Sequence, residues 1–136
     1  VAVAPSTNSS RETGTYIPSS KQSALEVQNI RFIDDGRDQT INSNEECKII
    51  FEVINDTDTP VLNVTPMVEE ISGQKHIYIS PSAGVEQIDA HDGIRYTAFI
   101  HSDNKVRDGK AVFRVYAVEK NGKVSNVREF SIPIQP

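Results

Sequence analysis

The side chains with the most chemical potential in this sequence lie between Asp34 and Glu45, DDGRDQTINSNE. A hard cation needs several oxygens converging from one short turn. Asp34, Asp38, Asn42 and Glu45 fall at positions 1, 5, 9 and 12 of an EF-hand-like spacing, with Ile41 at the apolar position 8. Two positions depart from that pattern. Gly36 brings no side-chain oxygen to position 3, and Gln39 occupies position 6, where glycine makes the sharp turn. A solvated turn whose Asp and Asn side chains cap their own backbone amides uses the same residues, so both readings stand. Calcium is the metal this loop would take, and no other cofactor is expected.

Elsewhere the chemistry thins out. His76, His91 and His101 are spaced by fifteen and ten residues, which matches no local metal or catalytic motif, and surface or edge positions are expected for them. His91 with Asp89 and Asp92 is the one cross-segment metal group to consider. No G-x-S-x-G elbow is present, and Ser80-Pro81-Ser82 has no nearby base, so nucleophilic acyl transfer has no support. The carboxylate pairs Glu45-Glu46 and Glu69-Glu70 read as solvated charges, because nothing marks a cleft that would separate their pKa values. Cys47 is the single cysteine; it cannot form an internal disulfide, and it falls in phase with Ile49, Phe51 and Val53 as a buried small hydrophobe. An enzyme is not expected. Stacking on sugar rings would draw on few aromatics: there is no Trp, and only Tyr16, Tyr78, Phe99 and Tyr116 are free of the expected core. Phe99 and Tyr116 are expected on one outward sheet face with Ile50, Ile54, Val112 and Val118, an apolar surface suited to a protein contact or a second domain.

The elements that carry these residues are strands. The chain has 136 residues, 37% hydrophobic and 24% charged, which supports one compact core. A net charge of −5 disfavours nucleic acid, whose phosphates need clustered Lys and Arg. No apolar run approaches the roughly 20 residues of a membrane-spanning helix. Residues 1–24 are rich in Ser, Thr and Asn with no period, and read as a flexible tether starting from a processed or excised end.

From residue 25 to 136, short runs of Val, Ile, Phe and Tyr are separated by Gly, Pro, Asn and Asp about every ten residues, the pattern of an antiparallel β-sandwich of seven to eight strands. Strands are expected over residues 25–33, 46–54, 61–69, 76–80, 94–101, 111–119 and 124–134, with 85–88 a bridging piece. The apolar phase switches near Gln28-Asn29, which predicts a bulge. Leu62, Val64 and Val68 are expected inward, and Pro66 marks an edge or bulge. Asn121-Gly122 predicts a type I′ hairpin. No helical stripe competes, so the fold class is all-β.

The order of residues from 33 to 64 resembles the bacterial cell-adhesion-related and NPCBM-associated group of immunoglobulin-like domains. The acidic loop Asp34-Asp35-Gly36-Arg37-Asp38 leads to Glu45-Glu46, the strand at Lys48, then Asn55, and a returning strand at Leu62-Asn63-Val64. Thr57 or Asp58 stands where that group has glycine, and Ser43-Asn44 where it often has Pro-Gly. Residues 25–134, with HIYISP at 76–81 and GIRYT at 93–97, are also similar to a domain of envelope proteins and lipoproteins of Bacteroides-type bacteria. The resemblance implies an exported protein of the periplasm or outer cell envelope. It implies a non-catalytic structural or protein-interaction role, and it brings no catalytic residues. A calcium- or glycan-binding module, or the accessory domain of an enzyme whose catalytic part lies elsewhere, are the alternatives.

Overall fold

The computed structural model describes residues 2–3 and 22–136. The tether expected over 1–24 lies mostly outside these. Within it, Ala2–Val3 form a short strand, β1. The remaining strands are β2 (Leu25–Asp34), β3 (Glu46–Asn55), β4 (Val61–Glu70), β5 (Ile77–Ile79), β6 (Val85–Ile88), β7 (Asp92–Ser102), β8 (Gly109–Glu119) and β9 (Arg128–Ile134). All their pairings are antiparallel. They form two sheets, one in the order β1-β9-β8-β4-β6 and one in the order β2-β3-β7-β5. Strand alternation turns one face of each sheet inward. Phe51, Ile49, Val53 and Ile100 from the four-stranded sheet meet Phe113, Val115, Phe130 and Ile132 from the other, all buried.

The chain joins this core earlier than its composition implies. Gln22 bridges Val124, and the buried Ser23 donates its amide to Val124 O at 2.8 Å while its hydroxyl bonds Glu119 and accepts the Leu25 amide. The expected phase switch is a bulge between Gln28 and Arg31, where Asn29 has φ 55°. Glu52 on the neighbouring strand accepts from Asn29 Nδ2 at 2.7 Å and Gln28 Nε2 at 3.3 Å, and these bonds hold its carboxyl below the usual range.

Three expectations change. Leu62 is 54% exposed, because Asn63 at φ 55° turns the strand so that Val61 packs on the core instead. Gly122 alone in its turn has positive φ, and its amide bonds Glu119 O at 2.9 Å; this is a type I turn closed by a left-handed glycine rather than type I′. The strand expected over 124–134 is split, with Val124 as an isolated bridge and β9 starting at Arg128. The break has a cause in Asn126, whose side chain leaves this sheet and bonds Val27 N at 2.7 Å and Val27 O at 3.0 Å on β2. Pro66 pairs with Ala117 on one side only, since β6 stops at Val85 opposite Val64.

Candidate functional site

The acidic loop follows β2 and closes on its own backbone. Asp34, 2% exposed, accepts the Asp38 amide on Oδ2 at 3.1 Å and the Gln39 amide on Oδ1 at 3.0 Å. Glu45, 6% exposed, accepts the Gly36 amide on Oε2 at 3.0 Å and the Asn42 amide on Oε1 at 2.8 Å. Asp38 Oδ1 takes the Thr40 hydroxyl at 2.6 Å and the Thr40 amide at 3.1 Å; the hydroxyl bond leads in holding its carboxyl below the ordinary range. Asn42 donates to Gln135 O at 2.8 Å. The loop crosses to β9 through the buried Ile41, whose amide bonds Pro133 O and whose carbonyl accepts from Gln135. Of the four candidate ligands, Asp34, Asn42 and Glu45 come together: a Cβ placed on Gly36 would lie 3.5–3.6 Å from an oxygen of each. Asp38 turns aside to Thr40. Among the described residues no group of three or more His, Cys, Asp or Glu side chains is placed to hold a metal ion.

At the other end of β3, Asn55 is fully buried. Its Nδ2 reaches the carbonyls of Thr59 (2.8 Å), Ile88 (3.0 Å) and Asp89 (3.1 Å), and its Oδ1 accepts the Thr57 amide (3.1 Å) and hydroxyl (2.7 Å). The exposed His91 sits over this loop with Nε2 2.6 Å from Asp58 and Nδ1 3.3 Å from Asp56. Its companions are therefore not Asp89, which holds Gln87, or Asp92, which caps Gly93. The other two histidines also meet carboxylates, His76 at Asp103 (3.0 Å) and His101 at Glu46 (2.6 Å). Glu70 accepts amides of Gly73, Gln74 and Val112, so with Glu45 it is a turn acceptor where the sequence implied solvated charge.

The outer face of the four-stranded sheet carries the exposed aromatics. Register places Ile33 opposite Lys48 and Lys48 opposite Phe99, and one step along places Glu46 opposite His101 and His101 opposite Tyr78. Phe99 is 52% and Tyr78 53% exposed. Lys48 Nζ lies 5.9 Å from the Phe99 ring centroid, and Tyr78 stacks on His101 at 6.3 Å. Beside Phe99 a depression of about 200 Å³ is lined by Ile33, Asp35, Arg37, Glu46 and Lys48 among others. Tyr116 does not share this face. It lies with Val112 and Val118 on the other sheet, 5% exposed, with its hydroxyl 2.7 Å from Glu69. Burial and that bond raise its pKa. Alternation within β7 and β8 predicted each residue's phase, but which sheet each strand joins depends on pairing over long sequence separations. Tyr78 and His101 were each expected at the surface, but their stacking comes only from that pairing. Cys47 is buried, and burial pushes its thiol pKa up, which leaves it no nucleophile.

The two packed antiparallel sheets define an immunoglobulin-like β-sandwich. The C-terminal domain of Wzt superposes with a TM-score of 0.60 at 8% identity, over 89% of this chain and 81% of that one. A Niemann-Pick type C2 protein from Japanese carpenter ant gives 0.56 at 10% identity, over 89% of this chain and all of the other. At such identities the likeness is one of fold. No family model matches the chain, and no curated protein matches it in sequence. Among the described residues no helix is long and apolar enough to cross a membrane.

Proposed function

We propose that this chain is a non-catalytic module of an exported bacterial cell-envelope protein, of the cell-adhesion-related and NPCBM-associated kind met in envelope proteins and lipoproteins of Bacteroides-like bacteria. On this reading it holds a protein partner or a neighbouring domain on the outer face of its four-stranded sheet. The observation that carries the interaction is the half-exposure of Phe99 and Tyr78 on one sheet face, Tyr78 stacked on His101 and Phe99 opposite Lys48, with Ile33 on the far side of Lys48. Aromatic area left in water gains free energy when a partner covers it, and exposed rings flanked by charged side chains are the composition of a contact centre with a polar rim. The exported location rests on the resemblance at residues 33–64.

A photo-crosslinking residue placed at Phe99 of the full-length protein, in living envelope-bearing cells, is expected to capture one defined envelope protein. The same residue at Glu86, exposed on the other sheet, is expected to capture none. Equal capture from both positions, or from neither, removes the reading. The depression beside Phe99 favours one competing occupant, a glycan, since it offers a ring together with Asp35, Arg37, Glu46 and Lys48. An oligosaccharide panel decides: a sugar whose binding is lost in Phe99→Ala transfers this face from protein to glycan.

A further inference from the structure

An open sheet edge exposes a row of backbone donors and acceptors that proteins normally block. Three of the four edges here are blocked by the fold itself. On β2, Asn126 takes both Val27 N and Val27 O, Gln39 Nε2 takes Phe32 O at 3.0 Å, and the bulge interrupts the strand between them. The edges at β5 and β6 are three and four residues long. The fourth edge, the outer side of β9, is different. At its C-terminal end Ile41 bonds Pro133 O and Gln135 N, which shows that these odd-numbered residues point away from β8. By strand alternation the backbone groups of Ser131 and Glu129 point outward as well. There the described cover is β1 alone, with Ala2 opposite Ser131 and Val3 opposite Phe130, and eighteen residues, 4–21, separate it from Gln22.

We propose that the β9 edge at Glu129 to Ser131 is a strand-addition site. Its partner is an extended segment of another protein that runs antiparallel to β9 and carries small apolar residues, and β1 is a removable plug that displays the chemistry the site accepts. Two ladder pairs hold β1, against seven between β9 and β8 on the opposite side. The residues of β1, Ala2 and Val3, are small and apolar. This site is separate from the Phe99 face and stands or falls without it.

The test uses the full chain and a fluorescent peptide of sequence VAVAPS. In Ala2→Pro the plug loses the N–H that answers Ser131 O. The peptide is then expected to bind at least about tenfold more tightly than to the unaltered protein, because a tethered occupant no longer competes. Ser131→Pro added to that variant is expected to abolish binding. This position faces outward like Pro133, which β9 already accommodates, so the fold survives. The Ser131 amide should be protected from hydrogen exchange in the unaltered protein and exchange rapidly in Ala2→Pro. Peptide binding that is equal in both proteins, absent from both, or indifferent to Ser131→Pro overturns the proposal. A concentration-dependent dimer of Ala2→Pro that Ser131→Pro abolishes overturns it too, by giving the edge to a second copy of this chain.

Discussion

The two loops at either end of β3 solve the same problem with opposite chemistry. The loop before it leaves backbone donors without partners, the amides of Gly36, Asp38, Gln39 and Asn42, and two buried carboxylates, Asp34 and Glu45, accept all four. The loop after it, together with the end of β6 packed beside it, leaves mostly acceptors, the carbonyls of Thr59, Ile88 and Asp89, along with the Thr57 amide. A carboxylate would repel those carbonyls. A primary amide answers both kinds of group at once, and Asn55 stands there. The side chain placed at the centre of each loop follows from which backbone groups are orphaned, since a buried polar group without a partner costs about 1–3 kcal/mol.

The sharpest way to break this comparison is Asn55→Ala. It strands several buried groups together and is expected to cost about 3–4 kcal/mol of stability, read as a fall in the urea midpoint with the slope unchanged. A loss below about 1 kcal/mol would mean that water replaces the amide, and the loop would not depend on Asn55. Asn55→Asp keeps the shape but turns a carboxylate on the three carbonyls, so it should be nearly as damaging above neutral pH and milder in acid.

Asp34→Asn comes next. One of its two acceptor oxygens becomes a donor facing the Asp38 or Gln39 amide, for an expected loss of about 1–3 kcal/mol. Glu45→Gln should cost a similar amount, and the double variant less than the sum, because both act on one loop. The same variants sharpen the calcium question. The four amides already supply positive partial charge where a cation would sit, so millimolar calcium is expected to leave the melting temperature of the unaltered protein where it was. A rise with calcium that Asp34→Asn removes would show that the oxygens around Gly36 open to a metal, and would end the likeness between the two loops.

The sequence made some of this legible and hid the rest for physical reasons. Clean alternation in β3 and β8 announced strands because a period of two survives any choice of partner. The phase switch at Gln28-Asn29 announced its bulge for the same reason. Of the four candidate cation residues Asp34, Asn42 and Glu45 converge while Asp38 turns to Thr40, and spacing is blind to whether an oxygen meets a cation or an amide. That depends on the left-handed backbone at Arg37, Gln39 and Asn44, which folds the loop's N–H groups inward. The break in the strand expected over 124–134 and the burial of Tyr116 were not legible because each depends on a distant residue, Val27 bound by Asn126 across the sandwich and Glu69 on the adjacent strand. Gly93, expected just ahead of the strand at 94–101, lies inside β7. A Cβ there would lie 3.1 Å from Val53 O and press on the end of the Ile54 side chain, so a larger residue would have to shift β3 or repack Ile54.

The smallest expected effect belongs to His91, the charged outer clasp of the Asn55 loop. Its bond to Asp58, then its bond to Asp56, raises its pKa above the ordinary value, while Asp89 and Asp92 of the same turn are engaged with Gln87 and the Gly93 amide. A histidine whose folded pKa lies above its unfolded one adds stability that is fully present below the unfolded value and is lost as pH rises through the folded one. Stability should therefore decline slightly from just below neutrality upward, and His91→Gln should flatten that decline. The group is fully exposed and salt screens it, so the effect should fade at high ionic strength. The acidic loop has no such exposed clasp, and Asp34→Asn should leave the decline near neutral pH intact. If it disappears in Asp34→Asn and persists in His91→Gln, the pH sensitivity belongs to the carboxylate end of β3, and the assignment of roles to the two loops has to be reversed.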